Sequence, residues 1–212
     1  MNHWFENSRR NLTPLSKAST FVEALKEWVF TGSTIECDEN DGTCQLCEHP
    51  ELSYYFEIEN ALTSKRMLVG SKCILKFQEI NVLDKEGILL TDLQGRKGAL
   101  NDALRRNLIE CSLMPLRKLW KKDKEHRNVI TFLASQIKDQ VGLSPNDLLF
   151  LFRGMDDHGI SYVVKHYSVR LRSNSQQSEI MRMSRESLRK ISPALSTEQK
   201  ARVRKWRPDK LI

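Results

Sequence analysis

Two cysteines three positions apart in CQLCEHP, residues 44–50, constrain this chain more than any other feature of its 212 residues. A C-x-x-C turn lets Cys44 and Cys47 bite one metal ion, and a tetrahedral site then requires two further ligands from elsewhere in the chain. Cys73 follows Cys47 after 25 residues. It falls in the expected first turn of a helix, where the helix dipole favours a thiolate. The intervening segment must therefore run out and come back. Two residues compete for the fourth position. Cys37, joined to Cys44 by the loop DENDGT, would complete an all-cysteine site, and His49 would give three cysteines and one histidine. Thiolate and imidazole donors select Zn2+. No H-E-x-x-H occurs, nor an H-x-E with a paired P-C-x-x-C, so Glu48 beside the knuckle has no catalytic frame and the site reads as structural.

The residues between the cysteines supply the required reversal. LSYYFEIEN alternates Leu52, Tyr54, Phe56 and Ile58 against Ser53, Tyr55, Glu57 and Glu59, which predicts a half-buried strand. NALTSK reads as a turn and RMLVG as the returning strand, after which Ser71 can cap a helix carrying Cys73. Upstream, Thr20 and Glu23 form a capping-box pattern, and Phe21, Leu25, Trp28 and Val29 share a helical face, predicting one helix from Thr20 to Gly32. Downstream, the pattern turns helical. Leu100, Leu104, Leu108 and Cys111 share a face that Pro115 should end, with Cys111 as a core thiol. Ile130, Leu133, Ile137 and Val141 mark a second helix, and Ser144–Pro145 opens a third. ISYVVKHYSVRLRS fits either a strand or an extended linker. SEIMRMSRESLRKI reads as one helix, and STEQKARVRKW as another with a Ser196/Gln199 cap. The expected fold class is α+β: a small N-terminal zinc-knuckle β-hairpin module over residues 1–82, then a mainly α-helical basic region over residues 83–212.

Charge follows the same division. Residues 33–60 hold eight acids and no Lys or Arg, whereas residues 161–212 hold 13 Lys and Arg against four acids, so the net charge of +7 is concentrated near the C-terminus. That asymmetry suits a polyanionic partner. Three clusters carry it. Arg182, Arg185 and Arg189, spaced i, i+3, i+7, would line one face of a single helix and match a run of phosphates. Arg202, Arg204, Lys205 and Arg207 surround Trp206, a candidate base-stacker. Arg117, Lys118, Lys121, Lys122, Lys124 and Arg127 surround Trp120. Solvated helical faces also look like this, and the Met and Arg content equally suits a protein–protein surface. MDDHG (Asp156, Asp157, His158) reads first as the end of a helix and second as a metal-dependent nuclease site. No glycine-rich phosphate loop or nucleophile elbow is present, so no enzyme is expected. Five cysteines, with no apolar stretch of the ~18 residues a membrane span needs and no secretory start, predict a reducing cytoplasmic setting without membrane partners.

Taken in order, EW at residues 27–28, C-x-x-C, an aromatic strand ending I-x-N, LT and VGSKCILKF resemble zinc-finger proteins of bacteria, phages and plasmids. The resemblance covers roughly residues 20–80. It implies a small zinc module with Cys44, Cys47 and Cys73 as ligands, and it implies no activity. In layout alone, a zinc knuckle followed by basic helices is similar to small subunits of CRISPR-type antiviral interference complexes. The expectation is a non-enzymatic zinc-finger protein that binds DNA or RNA through its backbone, as a small subunit or accessory of a nucleoprotein complex with other protein subunits. The rival is a phage- or plasmid-encoded interaction protein that inhibits or recruits a host machine through its acidic loop at residues 36–41.

Overall fold

The computed structural model describes residues 3–37 and 41–207. The fold is α+β: a small three-stranded antiparallel sheet near the N-terminus precedes a largely helical region. Two compact units divide the chain at residues 1–107 and 108–212. This boundary is later than the expected one at 82/83, because Leu100 and Ala103 of the following helix are buried in the same core as Trp28 and Ile74.

In the first unit, α1 (His3–Leu12) and α2 (Phe21–Lys26) lead into the strands β1 (Trp28–Glu36), β2 (Tyr54–Asn60) and β3 (Arg66–Val69), followed by α3 (Ser71–Lys76). The expected 20–32 helix stops at Lys26. Trp-Val-Phe-Thr is a β-branched and aromatic run, and pairing with β2 overrides the i, i+4 spacing that Phe21 and Leu25 begin. Thr20 holds the N-cap backbone position but makes no side-chain cap bond, while Glu23 pairs instead with Lys26 at 2.7 Å. The strands meet as Trp28↔Asn60 and Phe30↔Ile58, then slip across a bulge to Thr34↔Phe56. Gly32 sits in that bulge at φ 81°, a left-handed conformation that a side chain would strain. The β2–β3 hairpin is the one its alternation predicts, with Phe56 and Ile58 buried and paired to Val69 and Met67.

A polar network staples this hairpin to the N-terminal segment. Glu27 accepts from the amides of Lys17 (2.9 Å) and Ala18 (2.7 Å) and from Asn60 Nδ2 (2.7 Å). Asn60, fully buried, accepts at Oδ1 from the amides of Leu62 and Thr63. Trp28 Nε1 donates to Ser16 Oγ at 2.9 Å, and Thr63 Oγ1 to the Leu15 carbonyl at 2.8 Å. The Asn60 amide chiefly, with the two backbone amides, holds the Glu27 carboxyl below the usual range. The E-W, I-x-N and L-T positions thus converge on one set of hydrogen bonds.

The helix α4 (Leu93–Lys122) carries Pro115 in its interior instead of ending there. Proline in that position forfeits one hydrogen bond and costs about 3 kcal/mol. Leu116 and Leu119, just beyond it, are buried in the second unit's core and offset that cost. That unit continues through α5 (Arg127–Lys138), α6 (Pro145–Asp157), α7 (Asn174–Arg182), α8 (Arg185–Ile191) and α9 (Thr197–Trp206) around Phe152, Leu151, Met155, Ile191 and Val203. Val141 lies beyond α5 and is exposed. Ser144 caps α6 by accepting from the Asp147 amide, and Ser196 with Gln199 forms the expected box on α9. Residues 160–173 form an irregular connection with a 3-10 turn at Val164–His166, and Val169 is bridged to Leu143.

The single helix expected over 178–191 is two. Met183 is extended at ψ 144°, and Ser184 caps α8 by accepting from the Ser187 amide. Arg207, expected among the exposed cations, is buried. Its guanidinium donates to the carbonyls of Ile180 (3.2 Å), Met181 and Met183 (3.3 Å), closing the end of α7.

Candidate functional site

The knuckle is a tight turn between β1 and β2. The Cys44 amide donates to the His49 carbonyl at 2.9 Å, and the Glu48 amide returns to the Cys44 carbonyl at 2.8 Å. Glu48 takes φ 61° to close it. Leu46 at its tip is fully buried, and Gln45 pins the turn to β3 through both backbone groups of Leu68. On the other side α1 clasps it. Asn7 Nδ2 donates to the Cys47 carbonyl, Asn11 Nδ2 to the Leu46 carbonyl at 3.1 Å, and Arg10 pairs with Glu48 at 2.6 Å. Asn11 chiefly, then Arg10, lowers the Glu48 carboxyl. Glu48 is thereby engaged in holding the turn.

From the far end of the hairpin, α3 brings Cys73 onto the turn. The sulfurs of Cys44, Cys47 and Cys73 lie within 4.8 Å of one another, with Cys44–Cys73 at 3.7 Å and Cys47–Cys73 at 3.3 Å. A tetrahedral ion with ~2.3 Å bonds to sulfur separates its ligands by about 3.8 Å, so the three thiols are placed to hold one metal. Backbone amides prepare the charge. The Gly70 amide donates to Cys44 Sγ at 3.3 Å, those of Cys47 and Leu46 also point at it, and the His49 amide points at Cys47 Sγ. A hydrogen bond from Cys73 leads the causes that bring the Cys44 thiol down to about 5, with the amides adding to it against burial. Burial pushes the Cys47 thiol up, and its bond to Cys44 pushes Cys73 up. A metal ion entering the group would displace the protons that Cys47 and Cys73 retain.

Of the fourth-ligand candidates, Cys37 is buried, with its amide on the Ser53 carbonyl at 2.9 Å. Its sulfur sits against Gly42, where a Cβ would collide with it and with the Leu52 carbonyl. It lies outside the group of three. His49 is exposed, its backbone serves the turn, and its imidazole is also outside that group.

Arg96, in the first turns of α4, also supports this site. The side chain is 1% exposed and threads behind α3, donating to the carbonyls of Ile74 (2.6 Å), Ile80 (2.9 Å) and Phe77 (3.3 Å). It supplies donors to the open carbonyl end of the helix that carries Cys73. Asn7 and Asn11, one helical turn apart on α1, are a further pair of supporting residues that carries its own sequence signal, an i, i+4 spacing.

The cationic clusters come out differently. Arg182 ends α7, whereas Arg185 and Arg189 lie on α8, so the three do not share one helical face. Arg182 instead lines a cleft of about 740 Å³ with Arg153, Ser175, Ser178, Ser184 and Ser187. Glu179 also borders it, but accepts from the Asn146 amide at the start of α6. Trp206 packs against the core, with Arg202 5.9 Å from its ring, and Arg204 and Lys205 are exposed beside it. Arg117 pairs with Glu110, and Lys122 donates to the His158 carbonyl at 2.7 Å, while Lys118 and Lys121 are exposed. Asp156 accepts from Tyr162 and pairs with Lys190, so the Asp156–Asp157–His158 metal site expected as a minor alternative does not assemble. In the acidic stretch, Glu57 and Glu59 pair with Arg66, and Asp38 and Glu39 lie outside the described residues. Among the described residues no helix is long and apolar enough to cross a membrane. Comparison with family models, curated proteins and solved structures returned no match.

Proposed function

We propose that this is a non-enzymatic zinc-finger protein that binds nucleic acid through its second unit, as a subunit or accessory of a nucleoprotein assembly. The observation that carries the reading is the cleft at α6, α7 and α8, lined by Arg153 and Arg182 with Ser175 and Ser178, in which Arg153 is oriented by donating to Ser187 Oγ at 3.0 Å. Arginine donors with hydroxyls suit phosphodiester oxygens, and Arg185 and Arg189, exposed on the adjoining helix, extend the cationic track. Such contacts hold the backbone with little sequence preference, and affinity should fall steeply with salt. Titration of a fluorescent single-stranded oligonucleotide should give a log K against log [salt] slope that shrinks by about one per lost phosphate contact. R153A/R182A should therefore weaken binding about tenfold or more at fixed salt. Affinity indifferent to both salt and the two arginines would overturn the proposal.

The metal in this reading is Zn2+, held by Cys44, Cys47, Cys73 and Cys37. Buried sulfur donors favour it, and the Cys37 sulfur, though outside the group of three, has room beside the turn at Gly42. When bound, the ion ties the β1–β2 turn to α3 and supplies no reactive water. Zinc content after dialysis against a chelator should drop sharply in C37S and stay unchanged in H49A. The opposite pattern would make His49 the ligand.

A further inference from the structure

The cluster around Trp120 does not have the make-up of a phosphate track. Residues of α4 at i, i+3, i+4, i+7 and i+8 (Leu113, Leu116, Arg117, Trp120, Lys121) face residues of α5 (Ile130, Ala134, Lys138 and their neighbours) across a groove of about 460 Å³. We propose that this groove docks an amphipathic helix of a partner protein whose apolar stripe is flanked by carboxylates. This goes beyond nucleic-acid binding and withdraws Arg117, Lys118 and Lys121 from that role.

Three observations support it. The floor is aliphatic, built from Leu113, Leu116, Ile130 and Ala134, which suits side chains entering at helical spacing and offers nothing to phosphate. Trp120, 40% exposed, forms one wall and is held in place: Arg127 lies over its ring at 4.3 Å and donates Nε to its carbonyl at 3.0 Å. A fixed aromatic beside an apolar slot is the usual anchor of a protein interface. Arg117, Lys121 and Lys138 border it, and no carboxylate lines the groove itself. Arg117 is engaged by Glu110, but Lys121 and Lys138 have no partner among the described residues. A neutral or cationic helix would leave those charges unanswered at the edge of a desolvated slot, whereas flanking Asp or Glu would answer both.

The test uses the zinc-loaded full chain and a library of helix-forming 16-residue peptides. Enriched peptides should carry apolar residues at i, i+3 or i+4, and i+7 with net negative charge. Their affinity should fall at least tenfold in K121E/K138E, a surface change that leaves the core intact, and in W120A with its melting curve unchanged. Enrichment of cationic or non-periodic peptides, no enrichment, or affinities unmoved by K121E/K138E would overturn the proposal. So would displacement of the peptides by a single-stranded oligonucleotide that itself loses affinity in K121E/K138E, which would give the groove to nucleic acid. A concentration-dependent dimer in sedimentation that W120A dissolves would assign the groove to a second copy instead. Because Arg153 and Arg182 line a different cleft, loss of oligonucleotide binding in R153A/R182A with peptide binding intact separates the two proposals.

Discussion

Serine at position 73 should release the metal and melt residues 1–107 far below their normal transition, while residues 108–212 keep their own. Cys73 is the one sulfur in the group contributed from outside the knuckle, and it is in contact with both of the others. Without it, the remaining sulfurs, Cys44 and Cys47 with Cys37 as the proposed fourth ligand, all come from the β1–β2 segment, and the link to α3 is gone. Binding to the folded form stabilises by about 4 kcal/mol when free metal exceeds its Kd a thousandfold. A domain of this size shifts by about 4–8 °C per kcal/mol. The lower transition should therefore fall by roughly 15 °C or more. The second unit has a separate core around Phe152 and Ile191 and should be indifferent. Scanning calorimetry with and without chelator reads both units at once. A C73S protein that melts like the parent, with chelator making no difference to either, would refute a structural metal.

Exchanging Arg96 for methionine should be nearly as damaging, although it touches no ligand. The side chain is buried, and its guanidinium satisfies the carbonyls of Ile74, Phe77 and Ile80. Methionine keeps the apolar stem and leaves those acceptors without donors. Each buried acceptor left so costs on the order of 1–3 kcal/mol, and losing the group should cost about 3–5 kcal/mol. Lysine cannot reproduce the fork and should rescue only partly. Because Ile74 directly follows Cys73, zinc affinity should fall about 10–100-fold, as it does when groups behind a ligand are removed. Urea denaturation and competition with a colorimetric chelator would measure the two effects. Unchanged zinc affinity in a destabilised R96M would confine Arg96 to packing.

The hairpin could be read because Phe56 and Ile58 alternate with charged residues on a half-exposed sheet, and such alternation survives folding. Cys44, Cys47 and Cys73 could be read because ligand spacing is a local property of the chain. The β1 strand could not, since Phe21, Leu25 and Trp28 satisfy a helical period equally well and only pairing with Asn60 and Ile58 decides. Pro115 misled for the opposite reason. Its local cost is real, but long-range burial of Leu116 and Leu119 outweighs it. The arginine row over 182–189 failed on a single capping serine, Ser184, whose spacing to Ser187 is too common to flag. Arg96 and Arg207 were illegible because both bind backbone carbonyls, and every residue has one.

The order in which the three-thiol cluster is made has a kinetic meaning. Cys44 and Cys73 are 29 positions apart, and Cys47 and Cys73 are 26 apart. Closing loops of that length is entropically cheap, and the hairpin between them shortens the search further. A ribosome making this chain releases the three-thiol cluster well before Arg96, and before any of the second unit's core. Metal can therefore be captured by a short nascent segment, with the α3 latch arriving some twenty residues later to slow its escape. For a metal bound there, loading would then be governed by the free ion near the ribosome, and retention by a residue that emerges only after the ion has bound.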